Sequence, residues 1–91
     1  MASVLRRPLL AGNWKMHLDL AQSVALAKLV AGGAAAASGE VAVCVPFTAI
    51  SVVAEVLKGS SVRLGAQDVH WEASGAFTGE ISAGQLLDAG C

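Results

Sequence analysis

Apolar and polar positions fall along this chain in an order that alternates short apolar runs with stretches of helical spacing. The run from Leu9 to Ala11, placed directly after Pro8, predicts a first strand. An alanine-rich stretch from about Leu20 to Ala36 predicts a helix, but Leu20, Val24, Leu26, Leu29 and Val30 spread round much of its wheel and leave its inward face open. "VAVCV", Val41 to Val45, is apolar at every position, the pattern of a strand covered on both faces. From about Thr48 to Lys58 a second helix is predicted. Ile50, Val53, Ala54 and Leu57 recur there at helical spacing, Val52 and Val56 widen the face, and Ser51, Glu55 and Lys58 cluster opposite. "VRLGAQ", Val62 to Gln67, predicts a third strand, followed by a long loop from Asp68 to Glu80. A short helix from about Ser82 to Ala89 closes the pattern, with Ser82 as N-cap and Gly90 as the stop.

Strands alternating with helices indicate βα units and a parallel sheet, hence an α/β fold. Three such units leave two strands as bare edges, which template pairing with other chains. The sequence also stops at Cys91, just after a helix stop signal, where the pattern calls for another strand. The expectation is a segment of a larger α/β domain, or a piece that needs a complementary chain. Composition points the same way, because 55% of the 91 residues are apolar, a large share for so small a domain to hide.

Charge narrows the function classes. Charged residues make up only 14% of the chain and the formal net charge is -1, so the basic footprint of a nucleic-acid binder is missing. No uninterrupted apolar stretch reaches the length of a membrane span. "MASVLRR" carries its arginines after its few apolar residues and no signal-type apolar region follows, so a cytoplasmic setting is expected. Cys44 and Cys91 belong to no spaced Cys/His cluster, which argues against a metal site and a disulfide framework, and Cys44 reads as a buried thiol.

Candidate chemistry gathers in two places. "AGNWKMH", residues 11–17, sets Asn13 and Lys15 at the mouth of the first strand, with Trp14 and Met16 alternating so as to face away and pack on helices. Without further context an Asn and a Lys in a βα loop are most often a turn residue and a solvated charge. The loop Asp68 to Glu80 is longer than βα connections usually are and mixes Trp71 and Phe77 with Gly75 and Gly79, which marks it as either functional or a glycine-hinged surface loop. His17 and His70 read as surface or interface histidines.

With these residues in view, "AGNWKMH", "VCVPFTAI" and "GAQDVHWEASGAFTGEISAGQLLDAGC" resemble, in order and spacing, the triosephosphate isomerase family. The resemblance implies a partial TIM barrel: residues 1–91 as the N-terminal portion of one (β/α)8 domain, three βα units of a fold that takes about 250 residues. It implies interconversion of dihydroxyacetone phosphate and glyceraldehyde 3-phosphate by proton transfer through an enediolate, with no cofactor and no metal. Lys15 would place a positive charge near the substrate's phosphate and enediolate oxygens, and Asn13 would donate its amide there. The family is itself the standard illustration of a glutamate base paired with a neutral histidine; both, like the phosphate-gripping loops, would lie beyond Cys91. This chain alone is therefore expected to be inactive. The long loop would enter a neighbouring subunit, bringing Thr78 near that subunit's Asn13 and Lys15, with Phe77, Gly79, Glu80 and Gln67 holding the interface and the mouth. Partners implied are a triose phosphate and either a homodimer partner or a complementary C-terminal barrel fragment, with no nucleic acid and no membrane. The alternatives are a non-catalytic complementation module and a self-associating barrel fragment.

Overall fold

The computed structural model describes residues 6–91, so most of the "MASVLRR" start lies outside the described residues. Along the chain run β1 (Leu9–Asn13), α1 (Leu20–Ala34), β2 (Glu40–Val45), a 3-10 turn (Phe47–Ala49) leading into α2 (Ile50–Leu57), β3 (Arg63–Ala66) and α3 (Ala83–Ala89). The strands form one parallel sheet in the order β1-β2-β3. Asn13 stands opposite Cys44, and Cys44 opposite Gly65, so the strands are aligned near their C-terminal ends. Three strands with intervening helices are the α/β arrangement that the alternating pattern predicts.

Local chemistry sets the helix boundaries. Asp19 caps α1: Gln22 N–H donates to its Oδ1 at 2.8 Å, while Gln22 Oε1 accepts from Asp19 N–H at 3.0 Å. Ser82 and Gln85 form the same reciprocal box at α3, satisfying backbone donors that a helix start leaves unpaired. α3 ends at Gly90, whose φ of 121° lets its N–H reach back to the carbonyls of Leu86 and Leu87. A Cβ on Gly90 would also lie 2.5 Å from the Ala54 Cβ, so this stop needs glycine for room as well as for conformation.

The core lies between the sheet and the helices. α2 contributes Ile50, Val53 and Leu57, its predicted face, while β2 contributes Val43 and Val45. The inward face of α1, open in the sequence, proves to be made of small residues: Ser23, Ala27 and Ala34 are its buried positions. Since α1 packs on α2, the bulk comes from α2 and small side chains on α1 permit the approach. Leu20 and Leu29 are turned outward, which is why the leucine positions gave no usable stripe.

Three expectations are corrected. β2 is covered on its helix side only: Val43 and Val45 are buried, whereas the alternating Ala42 and Cys44 are half-buried. The all-apolar strand pattern anticipates cover on both faces, and within this chain the helices supply one. Cys44 is for the same reason half-buried and not a core thiol. Met16 is 93% exposed, while its alternate Trp14 is only 9% exposed and belongs to the core. The backbone turns sharply between them, so alternation fails after Trp14. Every residue of β1 is exposed, Leu9 at 60% and Leu10 at 56%. Among the described residues no helix is long and apolar enough to cross a membrane, and no group of His, Cys, Asp and Glu is placed to hold a metal ion.

Candidate active site

β1 runs two residues further than its apolar run, through Gly12 to Asn13, because pairing with β2 continues to Cys44. Trp14 N–H then donates to the Cys44 carbonyl at 3.0 Å, and the indole turns into the core. At Lys15 the chain adopts φ 54°, a left-handed conformation that costs a residue with a Cβ roughly 1–2 kcal/mol. Side chains hold it from both sides. Lys15 N–H donates to Asn13 Oδ1 at 2.8 Å, and the Lys15 carbonyl accepts from Gln67 Nε2 at 2.9 Å. The same Gln67 nitrogen donates to the Cys44 carbonyl at 3.0 Å.

The ends of all three strands are thus tied together around Lys15. Beside them Lys15, Met16, Pro46, Phe47, Gln67 and Asp68 line a cavity of 220 Å³ at the C-terminal edge of the sheet. The arrangement offers an exposed ammonium on a pinned backbone and an amide whose oxygen is engaged, leaving the Asn13 nitrogen end as a donor. The Asp68 carboxylate that borders the cavity accepts from Val69 N–H at 2.9 Å.

The long loop is a second structure, closed at its base. His70 N–H donates to the Ile81 carbonyl at 2.7 Å, and His70 pairs with Ser82 as an isolated bridge. The imidazole, 11% exposed, lies under the loop with its centroid 4.5 Å from the Trp71 ring and 4.3 Å from Phe77. Its Nδ1 is 3.8 Å from Glu80 Oε1, and its buried Nε2 has no partner among the described residues. Of the surface or interface histidine expected, the surface alternative is corrected here: the His70 ring packs between Trp71 and Phe77 of its own loop. Gly75 at φ 138° gives way to Phe77, since a Cβ there would lie 2.7 Å from the phenyl ring. Gly79 at φ 86° is the third residue of the turn in which Glu80 N–H donates to the Phe77 carbonyl at 3.0 Å. A cavity of 290 Å³ opens inside the loop, bordered by His70, Glu72, Ser74, Phe77, Glu80 and Gln85.

The residues singled out in the sequence therefore fall into two groups. At the mouth Asn13 and Gln67 each hydrogen-bond the Lys15 backbone, whereas Phe77, Thr78, Gly79 and Glu80 sit on the exposed loop. Among the described residues no hydrogen bond joins Thr78 to Asn13 or Lys15. The reach of Gln67 onto two carbonyls and the role of His70 were missed. Neither leaves a periodic signal, and only the Gln placed directly after an apolar strand hints at the first. Elsewhere, burial pushes the Cys91 thiol above its ordinary pKa, with Cys44 adding to the effect, and both thiols are free.

Comparison with known proteins completes the picture. The family model for triosephosphate isomerase matches residues 8–91. A triosephosphate isomerase of Synechocystis sp. is 51% identical over 90 residues, covering 94% of this chain and 36% of that protein. One from Moorella thermoacetica is 46% identical over 87 residues, covering 96% of this chain and 35% of that protein. Among solved structures, triosephosphate isomerase from Bartonella henselae superposes with a TM-score of 0.85 at 38% identity, over 93% of this chain and 35% of that one. The chain thus spans about a third of the length of the curated relatives it matches.

Proposed function

The chain belongs to the triosephosphate isomerase family, and we propose on that footing that it forms the first three βα units of a barrel that interconverts dihydroxyacetone phosphate and glyceraldehyde 3-phosphate. The reaction removes a carbon-bound proton and passes through an enediolate, so the site needs a base and, at the carbonyl oxygen, groups that stabilise developing negative charge. Lys15 supplies fixed positive charge beside the phosphate and enediolate oxygens. Asn13 supplies an N–H, its oxygen being engaged by Lys15 N–H. The base and the electrophile come from the part of the barrel beyond Cys91, and no cofactor takes part.

One observation carries this reading: Lys15, in a left-handed conformation, is gripped by Asn13 and Gln67 where three parallel strands end. Barrels of this kind place their active sites at that end of their strands. The working assembly in this reading is a homodimer in which Phe77, Thr78, Gly79 and Glu80 of one loop enter the neighbour's mouth and Thr78 meets its Asn13 and Lys15. The exposed Trp71 and the partly exposed Phe77 on a loop closed at its base support it. Two free thiols fit a cytoplasmic setting.

A second reading is a non-catalytic piece that pairs with a complementary chain or with itself. The exposed β1, with Leu9 and Leu10 more than half open, favours it. Mixing this chain with a second polypeptide carrying the remainder of the Synechocystis relative separates the two. The isomerase reading predicts no turnover from either chain alone and turnover from the mixture, lost on Lys15→Ala. A complex that forms without turnover would move the assignment to the second reading.

A further inference from the structure

We propose that His70 is the positioning residue of the long loop: its ring meets both ends of the turn that presents Thr78, so that an imidazole in one subunit sets what reaches the mouth of the next. The proposal rests on the reading in which Thr78 meets the neighbour's Asn13 and Lys15, and adds to it the residue that aims Thr78.

Thr78 is the second residue of a four-residue turn, Phe77 to Glu80, closed by the bond from Glu80 N–H to the Phe77 carbonyl at 3.0 Å. Gly79, at φ 86°, takes the third place, where turns of types II and I′ carry positive φ. So short a turn moves as one piece, and the placing of its two ends decides where Thr78 stands. Both ends meet His70. The Phe77 ring lies 4.3 Å, centroid to centroid, from the imidazole at an interplanar angle of 42°, and Glu80 Oε1 lies 3.8 Å from Nδ1. Gly75 meets the phenyl ring as well, since a Cβ there would stand 2.7 Å from it. His70 is itself held through its backbone: its N–H donates to the Ile81 carbonyl at 2.7 Å, and it bridges to Ser82, the residue that caps α3. Rigidity therefore passes from the helix, through one largely buried ring, to an exposed tip.

What the ring contributes is a face. Nδ1, at 3.8 Å from the carboxylate, is too far for a hydrogen bond, and the buried Nε2 has no partner among the described residues. A flat apolar ring does the same work, and phenylalanine supplies one without leaving a buried nitrogen unpaired. Alanine removes the face, and leucine fills the space without stacking. With either, Phe77 loses the surface it rests on, the turn shifts as a unit, and Thr78 leaves the place from which it meets the neighbour. A displacement of about an ångström can reduce turnover by about 100-fold even when it starts far from the chemistry.

The test uses a complete barrel in which residues 8–91 replace the matching segment of the Synechocystis relative, comparing His70→Ala with His70→Phe, and with His70→Leu in place of the first if it does not fold. Dimer dissociation on dilution is measured for each, and kcat/KM at a concentration that keeps the dimer. Expected for His70→Ala is a dissociation constant at least about tenfold above the parent's and a kcat/KM about 10- to 100-fold lower. His70→Phe, which restores the face and has no ring nitrogen, should recover most of both losses. A phenylalanine variant that loses as much as the alanine variant, or an alanine variant that keeps both values, overturns the proposal. Crystal structures of the parent and His70→Ala barrels give a readout that needs no activity: the turn from Phe77 to Glu80 should be displaced. A parent barrel active as a monomer would defeat the homodimer reading, and the place of this turn would still decide the role of His70. A turn that stays where it is in the parent overturns the proposal.

Discussion

At Gly75 a single hydrogen atom decides the shape of the long loop. Its φ of 138° and the phenyl ring of Phe77, 2.7 Å from where a Cβ would stand, leave no room for any larger residue. Gly75→Ala should push Phe77 off His70 and cost roughly 1–3 kcal/mol, read as a lower urea midpoint. The same scale holds the one shifted thiol. Cys91 is raised above its ordinary pKa by burial, then by Cys44, so the fold favours the neutral thiol. Its contribution to stability is complete below the ordinary thiol value and is lost as pH rises through the higher folded value. Urea midpoints taken at neutral and at alkaline pH should therefore converge in Cys91→Ser relative to the unsubstituted chain, once other titrations common to both are subtracted. Of these residue-level facts the sequence showed little. Asn13 and Lys15 could be picked out by their place after a strand, but the grip on Lys15 depends on Gln67 arriving from far along the chain, which no local pattern records.

Elements were more legible, and for a physical reason. Helical spacing in α2 reports a real boundary between core and solvent, so Ile50, Val53 and Leu57 are buried where the pattern put them. α1 carries no such signal because its fully buried positions are Ser and Ala, while of its large apolar residues Leu20 and Leu29 face outward and Leu26 and Val30 only flank the core. Its start is nevertheless written in the sequence as Asp19 followed three positions later by Gln22, the same capping-box spacing as Ser82 and Gln85. Asp19→Ala should cost about 1 kcal/mol and fray the first turn of α1, measurable as faster amide exchange there and a lowered urea midpoint. The apolar run stops two residues short of the end of β1 because Gly12 and Asn13 are not apolar, yet strand pairing needs only their backbone. That misplacement mattered, since it hid Asn13 as the last rung of the strand.

For the whole molecule, the dominant fact is a sheet with helices on one face. β1 is exposed throughout, and Leu9, Leu10, Trp14, Leu26, Val30 and Val41 border an apolar groove of 630 Å³ along its edge. Apolar runs in the strands look like core from sequence because in a closed barrel they are core; here Val43 and Val45 of β2 are buried while β1 is exposed. Taken alone, the chain should associate, and sedimentation should find oligomers with no compact, cooperatively unfolding monomer. A stable monomer would show that the open face is tolerated in water. The central claim, that the mouth around Lys15 is part of an isomerase site, is tested most directly by one comparison. In the complete barrel carrying residues 8–91, kcat/KM for glyceraldehyde 3-phosphate is measured before and after Lys15→Ala. The account predicts a loss of at least about 100-fold, as when a donor aimed at developing negative charge is removed. An active barrel that keeps its kcat/KM through the substitution would contradict it.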